Sequence, residues 1–135
     1  MTDRTILIIK TSWSYIVTQP VNPGALFYDE LFKLAPGLIP MFKSDKEDQQ
    51  TKFTDMITFM VLNLQNTRDI QKQINEMGKR HVGYGVTAEH YELVGTALIN
   101  TLNTSLGDMW NNETRLAWTN LYDLWSSAMI LASHE

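Results

Sequence analysis

The three histidines are the first candidates for chemistry in this chain, because it contains no cysteine. His81 lies in the stretch NEMGKRHVGYGV, residues 75–86, and continues an apolar series through Ile70, Ile74 and Met77 at helical spacing. A histidine on an apolar helix face is costly unless its nitrogens form hydrogen bonds or bind a metal. The pattern therefore leaves two interpretations, a hydrogen-bonded core histidine and a metal ligand.

The chain shows no pattern for a metal site or an active site built from protein groups alone. His90 lies nine residues after His81, across a predicted corner, and His134 is the penultimate residue, so the spacing fits no zinc motif. The sequence also contains no phosphate-binding loop, dinucleotide-binding glycine motif or serine nucleophile elbow. A single histidine on an apolar wall suits a group that brings its other metal ligands with it, as haem does with four porphyrin nitrogens.

Composition limits the class of protein. The 135 residues suit one domain, residues 1–135, and 44% hydrophobic, 10% aromatic and 19% charged residues are typical of a globular chain. A net charge of −4 gives no reason to expect a nucleic-acid partner. The apolar run at 6–9 is too short for a signal core or a membrane span. We therefore expect a cytoplasmic protein with no membrane partner, and its oligomeric state stays open.

Apolar residues recur at the three- and four-residue spacing of amphipathic helices. Five such series are Ile6, Ile9, Trp13, Ile16 and Val17; Leu26, Phe27, Leu31, Phe32 and Leu34; Phe53, Met56, Ile57, Met60 and Leu64; Tyr91, Val94, Leu98, Leu102 and Leu106; and Trp118, Leu121, Tyr122, Trp125 and Met129. Alternation with period two is not sustained anywhere. The sequence predicts an all-α fold of six or seven helices, with breaks at the proline and glycine clusters 18–24, 34–40 and 83–85.

Capping residues predict several helix ends. Thr87 precedes AEHYELVG, where acidic residues favour a helix N-terminus, and Gly107 suits a helix stop. Pro36 and Pro40 bracket a short helical turn. We expect a loop at 106–113.

Several separated motifs resemble those of globins. They are GALFYDELFKLAPGLIPMF at 24–42, MGKRHVGYGV at 77–86, HYELVG at 90–95, LINTL at 98–102 and RLAWTNLYDLW at 115–125. Their order and spacing are most similar to single-domain bacterial haemoglobins and to the haemoglobin domain of flavohaemoglobins, with a further similarity to neuroglobin. The resemblance covers residues 6 to 130. It implies a globin fold of about seven helices packed around a pocket for haem b (iron protoporphyrin IX).

The resemblance gives His81 the role of the proximal histidine, the protein ligand of the haem iron. A metal-bound histidine commonly donates a hydrogen bond from its second nitrogen to a nearby acceptor. Phe42 matches the phenylalanine that stacks on the haem face. Val86, Phe53 and Leu98 would add apolar wall around the porphyrin, although core packing explains these three residue types equally well.

On the distal side of the haem, the resemblance places Tyr28 and Gln49. Gln49 stands 32 residues before His81, the spacing of the family, and Gln50 would take its place if the register shifted by one residue. A tyrosine hydroxyl and a glutamine amide at these positions would donate hydrogen bonds to bound dioxygen. Lys52 matches a position whose side chain often reaches a haem propionate, with a solvated surface lysine as the alternative.

The implied ligands are dioxygen, nitric oxide and carbon monoxide. One function is reversible dioxygen binding at a five-coordinate ferrous iron, for scavenging, storage or delivery; another is nitric oxide dioxygenation with a separate reductase. Tyr91, ten residues after His81, matches a tyrosine that flavohaemoglobins place behind the proximal histidine. The position of their partner glutamate holds Ser133, however, and Glu135 is two residues away. A haem-free signalling or interaction module is a third alternative.

Overall fold

The computed structural model describes the backbone of residues 1–42, 45–83 and 87–133, and the side chains in these ranges except those of residues 67–70, 81–83 and 132–133. Its helices are α1 (Asp3–Val17), α2 (Pro23–Leu34), a 3-10 helix (Pro36–Met41), α3 (Lys46–Leu62), α4 (Thr67–Gly83), α5 (Ala88–Leu106), a 3-10 turn (Gly107–Met109) and α6 (Asn112–Ser133). The described residues form no strand, and the all-α prediction is confirmed. None of the helices in these ranges has the length and hydropathy needed to cross a membrane.

Most helix ends follow local signals. Asn22 caps α2 by accepting a hydrogen bond from the backbone N–H two residues on, at 2.8 Å, and Pro23 occupies the first turn, where its missing N–H costs little. Gly107 ends α5 at φ = 55°, a region that glycine enters without the strain of a Cβ atom. The predicted loop at 106–113 is shorter than expected, because a 3-10 turn follows α5 and α6 already begins at Asn112.

The core lies between α6 and the three helices packed on it, α1, α4 and α5, and between α2 and its neighbours α3 and α5. The largest fully buried side chains are Trp118, Ile9, Ile16, Leu31, Met60, Leu98, Leu102 and Leu121. Burying one leucine or isoleucine contributes about 1.5–3 kcal/mol relative to exposing it. Val17 and Leu34, predicted to share the buried faces, are instead 42% and 41% exposed, because each is the last residue of its helix and extends past the core.

Two buried tryptophans are held by hydrogen bonds from their indole N–H groups. Trp118 on α6 donates to the hydroxyl of Ser12 at 2.9 Å, and Trp13 on α1 donates to the hydroxyl of Thr58 at 2.9 Å. The two indole rings lie 5.9 Å apart between centroids. An indole N–H buried without a partner would cost about 1–3 kcal/mol. These bonds therefore fix α1 against both α6 and α3.

Gly24 is the point where α2 crosses α3. A Cβ atom at this position would collide with the backbone oxygen of Gln50 and lie 2.8 Å from its carbonyl carbon. The hydroxyl of Thr54 adds a polar contact at the crossing, 2.8 Å from Oδ1 of Asn22. The sequence pattern predicts Gly24 only as part of a break ahead of the helix. In the structure it lies inside α2 and sets the separation of α2 from α3.

Gly24→Ala is expected to destabilise the fold by about 1–3 kcal/mol, the range typical of overpacking. The colliding atoms belong to the α3 backbone, which cannot rotate away as a side chain could. Gly37→Ala is the matched control, because a Cβ atom there meets nothing within 4 Å. Urea unfolding measures both variants, and equal midpoints would contradict the close crossing.

Candidate functional site

Five aromatic side chains lie together between α2, the end of the first 3-10 helix and α3. The ring of Tyr28 has its centroid 5.1 Å from that of Phe27, 5.8 Å from Phe32, 5.3 Å from Phe42 and 6.0 Å from Phe53. Phe27 and Phe53 also stack at 4.0 Å with nearly parallel planes. This aromatic cluster brings together three predicted site residues, Tyr28, Phe42 and Phe53.

The hydroxyl of Tyr28 is the polar group of the aromatic cluster. Tyr28 is half-buried, and this burial raises the pKa of its phenol to about 12, so the hydroxyl keeps its proton at neutral pH. Within the part of the chain that the structure describes, no group forms a hydrogen bond with it. The hydroxyl oxygen is not fully buried, so a small molecule can reach it. The position therefore suits a ligand that accepts a hydrogen bond.

The crossing of α2 and α3 distinguishes the two glutamines at the start of α3. Gln50 lies at the crossing itself, with its backbone against Gly24. Successive helical residues differ by about 100° around the axis, so Gln49 lies on another flank of α3, one turn before Phe53. Both glutamines are half-buried. Lys52 is exposed, and no described residue forms an ion pair with it.

His81 lies in the last turn of α4, but its side chain is outside the described residues, and so is the whole of Val86. Ile74 and Met77 precede His81 on one face of the helix and are 4% and 5% exposed. The predicted apolar face of α4 is therefore confirmed at these two positions. α4 packs on α6.

α5 holds two predicted pocket residues, one near its start and one near its middle, and a histidine with a structural role. Tyr91 and Leu98 are both buried, and burial raises the pKa of Tyr91. Nδ1 of His90 accepts a hydrogen bond from the backbone N–H of Thr87 at 3.0 Å and completes a capping box.

Tyr122 on α6 donates a hydrogen bond from its hydroxyl to the Tyr91 carbonyl at 2.7 Å. The sequence predicted Tyr122 only as a core residue, since nothing local marks a partner so distant in the chain.

Residues 25–129, most of the chain, match the family model of the globins. The chain is a globin. This globin is 27% identical to neuroglobin-1 of Oncorhynchus mykiss over 143 residues, which cover 96% of this chain and 90% of that protein. Its fold is similar to that of a bacterial globin from Campylobacter jejuni, with a TM-score of 0.85, 24% identity and coverage of 98% and 96% of the two chains.

A second solved structure with this fold is an engineered carbene transferase derived from a candidate nitric oxide dioxygenase of Rhodothermus marinus. Its TM-score to this globin is 0.88, with 22% identity and coverage of 99% of this chain and 94% of that chain. These comparisons confirm the globin fold of about seven helices and the predicted similarity to bacterial globins and neuroglobin.

Membership of the family gives this globin its cofactor, haem, and its class of ligand, the diatomic gases. The third alternative from the sequence, a haem-free signalling or interaction module, is therefore rejected. In the described ranges, no three histidine, cysteine or acidic side chains lie together as metal ligands. The chemistry of the aromatic cluster is compatible with a porphyrin, because it offers apolar rings beside the Tyr28 hydroxyl, which has no hydrogen-bond partner among the described residues.

Proposed function

We propose that this globin binds dioxygen reversibly, for scavenging or storage, with His81 as the iron ligand and Tyr28 and Gln49 as the distal pair. One observation carries the proposal: the Tyr28 hydroxyl is a protonated donor within an aromatic cluster and has no hydrogen-bond partner among the described residues. Ferrous haem supplies an iron that binds small gases reversibly. Dioxygen draws negative charge onto itself when it binds, so hydrogen-bond donors stabilise it more than they stabilise uncharged gases.

The distal pair would control how fast dioxygen leaves. The Tyr28 hydroxyl and the Gln49 amide would each donate one hydrogen bond, and a bond to a charged acceptor in a dry site contributes about 1–3 kcal/mol. Gln49 is favoured over Gln50 because Gln50 lies at the contact with Gly24. High affinity and slow release are the expected consequences.

The surrounding side chains would exclude water and hold the porphyrin. Phe42 and Phe53 belong to the aromatic cluster, and Leu98 is buried on α5. With Val86 they would form the apolar wall of the pocket, where a low dielectric strengthens each hydrogen bond. Lys52 is exposed, and its ammonium group would pair with a haem propionate.

His81 would bind the iron through one imidazole nitrogen and donate a hydrogen bond from the other, as metal-bound histidines commonly do. None of the distal residues is a histidine, because the chain has only His81, His90 and His134. His90 instead caps α5. With His81 holding the iron and no distal histidine to compete, we expect the sixth position to stay open to a gas in the ferrous protein.

Nitric oxide dioxygenation is the second candidate function, and it would use the same pocket. It is supported by the structural neighbour derived from a candidate nitric oxide dioxygenase and by buried Tyr91, which matches the proximal tyrosine of flavohaemoglobins. Haem would supply the iron for converting nitric oxide and dioxygen to nitrate, and because this conversion would take one electron from the ferrous iron, each further turnover would need one electron from a separate reductase. Ser133 stands where flavohaemoglobins have the glutamate that assists this chemistry. We therefore place reversible binding first.

Rapid mixing of the oxygenated protein with nitric oxide tests the choice between the two functions. We expect one equivalent of nitrate per haem and then arrest, even with ferredoxin–NADP⁺ reductase and NADPH present, because Ser133 stands where flavohaemoglobins have the assisting glutamate. The same mixture without globin is the control for nitrate formed in solution. Nitrate formation that continues over many turnovers would favour the dioxygenase.

A further inference from the structure

Glu30 on α2 and Asn100 on α5 form a hydrogen bond between two helices that are far apart in the chain. The side-chain amide of Asn100 donates to Oε1 of Glu30 at 3.0 Å, and both residues are half-buried. A hydrogen bond that a carboxylate accepts is about twice as strong as one between uncharged groups. The bond therefore ties α2 to α5 at a defined rotation of α2 about its own axis.

A second partner of Glu30, Lys33, holds it less firmly. Nζ of Lys33 lies 3.8 Å from Oε2 of Glu30, and the lysine side chain is 77% exposed, whereas that of Glu30 is 27% exposed. Exposed ion pairs contribute little, because solvent screens the charges and two long side chains lose freedom when they pair. Asn100 is therefore the partner that fixes Glu30 in place.

Tyr28 lies two residues before Glu30 on α2, which places the two side chains about 200° apart around the helix axis. The ring of Tyr28 contacts those of Phe42 and Phe53, on the flank of α2 that meets α3. Glu30 lies on the other flank, where α2 packs on α5. The bond to Asn100 and the aromatic cluster thus hold α2 from opposite flanks.

A rotation of α2 about its axis would move the Tyr28 hydroxyl. The ends of helical side chains lie about 5–6 Å from the helix axis, so a rotation of about 10° displaces them by about 1 Å. An O–H···O hydrogen bond spans about 2.5–3.0 Å between its oxygens and weakens steeply when its geometry is distorted. A contact that fixes the rotation of α2 therefore fixes which acceptor the hydroxyl can reach.

We propose that Asn100 is a positioning residue for the distal donor: by holding Glu30, it sets the rotation of α2 at which the Tyr28 hydroxyl points to the bound gas. The inference rests on the proposed role of Tyr28 in the distal pair. Asn100 donates no hydrogen bond to the gas. It acts through Glu30 and the helix that carries Tyr28.

Asn100→Leu tests the proposal, because it removes the amide and keeps a side chain of similar size. We expect dioxygen to be released about fivefold faster in stopped-flow displacement by carbon monoxide, the effect of weakening one hydrogen bond to a charged acceptor. In a Tyr28→Phe background the same substitution should add nothing, since the hydroxyl that it positions is gone. Asn103→Leu, at an exposed asparagine on α5, is the matched control and should leave the release rate unchanged.

Glu30→Ala and Glu30→Gln test the bond from the other helix. Glu30→Ala removes the acceptor and should accelerate release as Asn100→Leu does, whereas Glu30→Gln keeps an acceptor and should stay close to the wild-type rate. Wild-type rates in both Asn100→Leu and Glu30→Ala overturn the positioning role alone. An acceleration by Asn100→Leu that persists in the Tyr28→Phe background also overturns it. A wild-type rate in Tyr28→Phe itself overturns the proposed distal role of Tyr28, and the inference with it.

Discussion

His81→Gly is expected to purify without stably bound haem and to recover haem absorbance when imidazole is added. The proposed function gives this protein one bond to the iron, through His81, so its removal leaves only apolar contacts to hold the porphyrin. Losing an outer-shell partner of a metal ligand already costs about 10- to 100-fold in affinity, so losing the ligand itself should cost more than about 100-fold. Free imidazole fills the cavity and restores the bond.

The matched control for this substitution is His90→Gln. His90 caps α5 through Nδ1, and a glutamine at the same position of a capping box accepts the same hydrogen bond. Haem content should therefore be unchanged. The visible absorbance of the purified protein, normalised to the absorbance at 280 nm, gives the haem content of the wild type, His81→Gly and His90→Gln. Full haem content in His81→Gly without imidazole would show that His81 is not the ligand of the haem iron.

Tyr28→Phe is expected to release dioxygen about 5- to 150-fold faster than the wild type. The range is the kinetic equivalent of about 1–3 kcal/mol for one hydrogen bond to a charged acceptor. The ring stays in the aromatic cluster, so the substitution changes the donor and little else. Because burial raises the pKa of Tyr28 to about 12, the effect should be equal at pH 7 and pH 9, where the phenol keeps its proton. Stopped-flow displacement of dioxygen by carbon monoxide measures the rate.

Gln49→Leu and Gln50→Leu locate the second distal donor in the same measurement. Gln49→Leu should accelerate dioxygen release by a factor similar to that of Tyr28→Phe. Gln50→Leu should leave the rate close to the wild-type value, since Gln50 lies where α3 meets Gly24. If Gln50→Leu released dioxygen faster than Gln49→Leu, Gln50 would be the distal residue in place of Gln49. A wild-type release rate in all three variants, including Tyr28→Phe, would contradict the distal pocket.

Features that are local in the chain could be predicted from the sequence. The apolar period identified the helical stretches, and the caps at Thr87 and Gly107 follow from residues adjacent to them. The exposure of Val17 and Leu34 could not be predicted, because the period continues to the last turn of a helix, whereas the core it packs against ends earlier. Periodicity reports which face is apolar and says little about where a neighbouring helix stops.

The features that the sequence alone does not predict are contacts between helices that lie far apart in the chain. Gly24 and Gly95 both allow another element to approach closely, but the element is the backbone of α3 in one case and the ring of Tyr122 in the other. An isolated glycine inside a helical pattern signals that something approaches and does not identify it. Tyr28 was placed with Gln49 only through the resemblance to globins, since neither residue carries a signal by itself.

The central claim is that this globin binds dioxygen reversibly at a ferrous haem. The absorption spectrum of the ferrous protein, first without gas and then with dioxygen, tests this claim most directly. We expect a Soret band, a single broad visible band typical of five-coordinate ferrous haem when gas is absent, and a stable dioxygen complex after exposure to air. We also expect carbon monoxide to displace the dioxygen slowly. Sharp, split visible bands of a six-coordinate ferrous haem before any gas is added, or a spectrum with no Soret band, would contradict it.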